Sequence, residues 1–160
     1  MSIRIVKGDA ITALLNGDID YLVHQTNAVG GFGSGIAGQI RKRIPQAYQA
    51  YKDNYDFWIN QGYDNIPLGN ISTGGNVIHL HSQLNYGRSG KRYTNYGAMA
   101  NGFNYLPEVL YDMDESPEDI VIGLPYLMGC GLGGGDWNIV YELIEQCLAP
   151  NVKEVIIYQL

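Results

Sequence analysis

The chain has 160 residues, 46% of them apolar and 16% charged, and carries a net charge of −6. That length fits a single domain over residues 1–160 with a core of its own, and the acidic balance argues against a general nucleic-acid or membrane surface. The apolar runs are strand-sized, which predicts no transmembrane helix, and two cysteines, Cys130 and Cys147, cannot build a disulfide framework, so a reducing, cytoplasmic setting and a monomer are expected.

The first element, Ile3 to Lys7, alternates weakly and reads as a strand. Gly8-Asp9 then opens a short helix from Ala10 to Leu15, with Asp9 as its natural N-cap. Asp20 to Asn27 is apolar until it turns polar at His24, the pattern of a buried strand whose C-terminal end opens on a site. A glycine loop follows, Gly30-Gly31-Phe32-Gly33-Ser34-Gly35, and Ile36, Ala37, Ile40 and Ile44 continue it at helical spacing. Ser34 is placed to cap that helix, and Ile44-Pro45 breaks it and starts another. Ala47, Tyr48, Tyr51, Tyr55 and Ile59 make an amphipathic stripe for core and boundary packing.

Ile66 to Ser72 predicts an edge strand, and Asn76 to Ser82 a stronger one that carries His79 and His81 on one face. Two histidines without further ligands read as hydrogen-bonded residues, so no metal is expected. Asn85 to Thr94 is a polar loop with Arg88, Lys91 and Arg92, and Asn95 to Tyr111 reads as a helix weakened by Gly97 and Gly102. After the acidic connection Asp112 to Asp119 comes the apolar run Ile120 to Leu127, then Gly129-Cys-Gly-Leu-Gly-Gly-Gly-Asp-Trp137. A helix with Val140, Leu143, Ile144, Cys147 and Leu148 on one face and a strand from Glu154 to Leu160 complete the chain.

Alternating strands and helices imply a mostly parallel sheet covered by helices, whose C-terminal loops collect into one crevice. Five glycines between Gly129 and Gly135 expose backbone N–H groups at a helix N-terminus, the arrangement that binds anions. The match of Gly129-x-Gly131-x-x-Gly134 to the dinucleotide fingerprint lacks a following acidic strand end, and no Gly-Lys-Ser/Thr makes a Walker loop. Two glycine loops, each feeding a helix, instead suggest two clamps around one extended phosphorylated ligand.

Lys7-Gly8-Asp9, His24-Gln-Thr-Asn27, Gly33-Ser34-Gly35-Ile36-Ala37 and Gly129 to Trp137 together resemble the macrodomain family, and most of all its ADP-ribose 1″-phosphate phosphatase branch. The resemblance implies a three-layer α/β/α macrodomain with a mixed, mostly parallel sheet. It implies a crevice that binds ADP-ribose without a cofactor. By position, Asp9 with Ala10 would meet the adenine, and the Ser34, Gly35 and Ile36 amides, beside Gly33 and Ala37, would hold one phosphate. Gly131, Leu132, Gly133, Gly134 and Gly135, with Tyr126, Gly129 and Cys130, would hold the pyrophosphate and distal ribose, and Asn27 would reach that ribose. His24 would act as acid or base, Asp136 would orient water or His24, and at least one of Arg88, Lys91 and Arg92 would meet a 1″-phosphate. Each has a structural rival: Asp9, Ser34 and Asp136 as helix caps, Asn27 as a tie within its own loop. His24 and Asn27 lie an odd offset apart, on opposite faces of an extended strand. Alternatives to the phosphatase are a non-catalytic binder of ADP-ribose, ADP-ribosyl groups or a related nucleotide, and an ADP-ribosyl hydrolase. The last is disfavoured, because the de-ADP-ribosylating branch has an aspartate where Gly133 stands and a lysine with no counterpart among Ser82, Gln83 and Leu84.

Overall fold

The computed structural model describes residues 2–33, 35–87 and 89–160. Six strands form one sheet: β1 (Ile3–Lys7), β2 (Tyr21–Asn27), β3 (Ile71–Gly74), β4 (Val77–Gln83), β5 (Val121–Pro125) and β6 (Glu154–Gln159). Their spatial order is β1-β6-β5-β2-β4-β3, parallel throughout except for the antiparallel β3–β4 pair. Five helices cover it: α1 (Ala10–Asn16), α2 (Gly35–Arg43), α3 (Pro45–Asn60), α4 (Tyr96–Asp112) and α5 (Trp137–Leu143). The three-layer arrangement expected from the alternation is therefore present.

Two apolar clusters, one on each face of the sheet, hold the layers together. Ile11, Ile40, Ala47 and Tyr51 bring α1, α2 and α3 onto the face that shows Leu22, Val77 and Ile156. Met99, Phe103, Leu106, Val140 and Ile144 bring α4 and α5 onto Val23, Leu80, Ile122 and Ile157. Gly102 weakens α4 intrinsically, but a Cβ there would run into the Leu80 side chain, so close helix–sheet contact requires the glycine.

Several local expectations differ from what is observed. The edge strand is Ile71–Gly74, not Ile66 to Ser72, because Pro67 and Gly69 turn the chain before pairing starts. Ile66 is buried in that turn and its N–H donates to the Ala28 carbonyl at 2.9 Å. In α3 the apolar stripe stops short of Ile59, which is exposed, and Trp58 packs against the core instead. β5 ends at Pro125, and Leu127 takes a left-handed backbone, φ 62°, that starts the glycine-rich turn. Beyond α5 the helix widens to a π turn over Ile144–Leu148 before Pro150 ends it. Among the described residues no helix is long and apolar enough to cross a membrane.

Candidate ligand crevice

The segments that follow β1, β2, β4, β5 and β6 meet at the C-terminal edge of the sheet around two adjoining cavities, of about 730 and 900 Å³. Gly35, Ile36, Pro125, Tyr126 and Leu127 line both, so the cavities are two halves of one crevice with its waist at those residues. Each volume lies in the usual range for a small-molecule site.

In the smaller half, Asp9 caps α1, its Oδ1 accepting the Ile11 N–H at 3.0 Å and its Oδ2 the Thr12 hydroxyl at 2.9 Å. Arg43, at the end of α2, reaches across to pair with Asp9 Oδ2 at 2.6 Å and donates to the Thr12 hydroxyl at 2.9 Å. Burial alone would raise the Asp9 pKa, but the Arg43 and Thr12 hydrogen bonds and the Ile11 N–H outweigh it and hold the carboxyl below its usual value. Asp9 therefore both caps α1 and lines the smaller half, its side chain keeping 38% of its surface exposed. Asp9→Ala should cost about 1 kcal/mol of stability through the lost cap, read as a lower midpoint in urea; an unchanged midpoint would show that Arg43 and Asp9 contribute nothing there.

In the larger half, the first turn of α2 and Gly129, Gly131, Leu132 and Gly133 line the space. Among the described residues, the N–H groups of Gly129, Gly131, Leu132 and Gly133 meet no protein acceptor. A network beneath them fixes the loop: the Gln25 amide donates to Gln83 Oε1 at 2.9 Å and to the Thr94 hydroxyl at 3.0 Å, and that hydroxyl donates to the Gly129 carbonyl at 2.7 Å. The Tyr93 and Thr94 N–H groups both donate to the Gly133 carbonyl, at 2.7 and 3.0 Å. The backbone there is held in place before any ligand arrives, which lowers the cost of binding.

Asn27 lines this half, and most of its hydrogen bonds stay within its own loop. Its Oδ1 accepts from the N–H groups of Val29 and Gly31, at 3.1 and 3.0 Å, and from the Tyr51 hydroxyl at 3.1 Å; its Nδ2 donates to the Gly31 carbonyl at 2.7 Å. The β2–β4 register shifts between Thr26 and Asn27, yet His24 stays in the layer beneath α3. His24 has no exposed surface and does not line the crevice, from which the Phe32 ring separates it at a centroid distance of 5.6 Å. His79 Nε2–H donates to the Ala47 carbonyl at 2.8 Å, so its bare Nδ1 accepts from His24 Nε2 at 2.7 Å and His24 Nδ1 is left without a partner. Burial, with His79 and His81 nearby, pushes the His24 pKa well below its ordinary value. The role of acid or base expected for His24 is therefore corrected: it is a neutral core residue.

Asp136 lies apart from His24 and takes the helix-cap position that was its structural rival. It is exposed, caps α5 by accepting the Asn138 N–H at 2.9 Å, and lines neither cavity. Cys130 lines neither cavity either, and burial, helped by the Asp136 carboxylate, raises its thiol pKa. Gly134 and Gly135 close the loop on itself through N–H bonds to Gly131 and Gly129, so they shape the site without facing it. Asp9, Ala10, Asn27, Gly33, Gly35, Ile36, Ala37, Tyr126, Gly129, Gly131, Leu132 and Gly133 do line the crevice. Ser34 and Arg88 lie outside the described residues. Lys91 and Arg92 line neither cavity and stack instead on Tyr93 and Tyr96.

No protein-family model matches the sequence. An uncharacterised 17.5 kDa protein of the tk-vs intergenic region of Enterobacteria phage T4 is 25% identical over 150 residues, 91% of this chain and 89% of that one. A macrodomain protein of Streptomyces coelicolor superimposes with a TM-score of 0.72 at 23% identity, over 99% of each chain. The fold is that of a macrodomain. A Thermosipho africanus DarTG protein, solved in complex with ADP-ribose, gives a TM-score of 0.69 at 18% identity over 100% of this chain and 42% of that longer one.

This macrodomain fold also brings to the crevice residues that sequence reasoning missed. Gln25 stands two residues before Asn27 on β2 and lines the larger half with it, so the period-2 pattern from Asn27 pointed to Gln25 rather than to His24. Arg41 stands one turn beyond Ala37 on α2 and lines the same half. Tyr86 comes from an aperiodic loop, where no sequence signal marks it.

Proposed function

We propose that the crevice binds ADP-ribose or an ADP-ribosyl group, with adenine at Asp9 and the diphosphate between the α2 N-terminus and residues 129–133. One observation carries this reading: two separate backbone segments with N–H groups to offer line a single cavity of about 900 Å³ in which no carboxylate is found among the described lining residues. Helix N-termini and glycine-rich turns favour anions on dipole and hydrogen-bond grounds alone. The fold likeness to a protein solved with ADP-ribose supports the choice of ligand.

We favour binding over hydrolysis of ADP-ribose 1″-phosphate. A phosphatase needs a group that moves a proton at the leaving oxygen, and among the described residues lining the larger half there is no His, Cys, Lys, Asp or Glu, which leaves only the Tyr86 and Tyr126 hydroxyls for that task. Calorimetric titration should give binding to ADP-ribose, weaker binding to AMP, and no phosphate release from the 1″-phosphate above a denatured control. Turnover would restore the phosphatase reading, and lack of affinity for any of these compounds would remove both.

A further inference from the structure

Arg41 is a cation without a carboxylate partner, since no acidic side chain among the described residues lies within ion-pairing distance of it. It lines the larger half of the crevice, where the described lining residues include no other charged group. Its guanidinium carbon stands 4.0 Å from the centre of the Tyr48 ring. Tyr48 packs in turn against Phe32, at 5.4 Å between centroids, and Phe32 lines the same cavity. Stacking of this kind holds the planar guanidinium in place while leaving its N–H edge free to donate. Arg41 stands six positions after Gly35 on α2, about 9 Å along the axis, and helical side chains lean toward the N-terminus. The charge therefore lines the same cavity as the end of the helix that offers its amides.

Arg41 also follows the general preference for cations near a helix C-terminus, which accounts for Lys42 and Arg43 as its neighbours. That preference does not place it in a cavity or over a ring.

We infer that Arg41 sets the charge selectivity of the crevice: it draws in the diphosphate and disfavours ligands whose distal ribose carries a cationic group, such as a nicotinamide dinucleotide. This rests on the ADP-ribose reading above and adds a discriminating residue to it. Arg41 is exposed at the edge of the cavity, where a cation attracts the two phosphates and repels a pyridinium that shares the space.

The test is calorimetry of the wild type, Arg41→Gln, Arg41→Lys and Tyr48→Phe with ADP-ribose and with NAD at low and high salt. Arg41→Gln should weaken ADP-ribose by about tenfold and weaken NAD less, so that the preference between them narrows. Arg41→Lys should retain most of that preference, and Tyr48→Phe, which keeps the ring, should match the wild type. Salt should erode the ADP-ribose affinity of the wild type more steeply than that of Arg41→Gln. Unchanged ADP-ribose affinity in Arg41→Gln, or an equal loss for both ligands, overturns the inference while leaving the binding reading intact. A wild type that binds neither ligand overturns both.

Discussion

Acidification from pH 6.5 towards about 4 should unfold this protein cooperatively, with uptake of two or more protons. Three histidines are buried without charge on one face of the sheet, His24, His79 and His81. Burial lowers His79 to about 4 despite its bond to the Ala47 carbonyl, and lowers His81, with His79 nearby, to about 3. Each folded pKa lies below the unfolded one, so between the two the unfolded chain binds the extra protons. Their contribution to stability is complete above pH 6.5 and is lost as the pH falls through that window. Each histidine gives a slope of about 1.4 kcal/mol per pH unit, and His79 alone accumulates about 3 kcal/mol by the time it reaches its folded value. Against a domain stability of roughly 5–15 kcal/mol, that one contribution is already a large fraction, and His24 and His81 act in the same direction. Denaturant titrations across the window should show stability falling at up to about 4 kcal/mol per pH unit; a flat profile would mean that the three rings are not buried as described.

Replacing Gly131 by valine should weaken ADP-ribose by at least about tenfold, or 1.4 kcal/mol, while leaving the unfolding midpoint near that of the wild type. A Cβ at Gly131 meets nothing within 4 Å, and the residue lines the larger cavity, so the side chain takes up ligand space and disturbs no packing. Gly133→Val is the contrasting variant. Its Cβ would stand 2.7 Å from both the Gly129 carbonyl and the Thr94 hydroxyl, so it should lose binding and loop stability together. Gly134 has a left-handed backbone, φ 74°, and a Cβ there would press on the Lys91 carbonyl at 2.8 Å. Substitution at Gly134 therefore acts through the loop at Lys91 and Arg92, not through direct contact with a phosphate. Full ADP-ribose affinity in a folded Gly131→Val variant would mean that residues 129–133 are a connector.

The layer arrangement was legible because periodicity reports burial, and burial is what the helices and parallel strands of this chain are selected for: Leu22 to His24 and Val77 to Leu80 read as buried strands and are buried. Glycine clusters were legible for a different reason: so many glycines in residues 30–35 and 129–135 cost conformational freedom that only a tight turn or a close backbone approach offsets. What stayed hidden depends on which way one side chain points. His24 looked like the mouth of a site because it is polar at a strand end, but its partner, His79, sits in the adjacent strand at the matching register position, which local sequence does not reveal. Asp136 follows a glycine loop whether it faces a ligand or caps α5, and the two roles leave the same residue in the same place. Arg41 was hidden because a basic last helical turn is ordinary, and only the Tyr48 ring of the next helix turns it toward the crevice.

A crystal soaked with ADP-ribose tests the central claim most directly. The account predicts adenine beside Asp9, the diphosphate within hydrogen-bond reach of the α2 N-terminus and the N–H groups of residues 129–133, and the distal ribose near Asn27, with His24 still buried behind Phe32. Density for the ligand anywhere outside this crevice, or an empty crevice at saturating ligand, would contradict it.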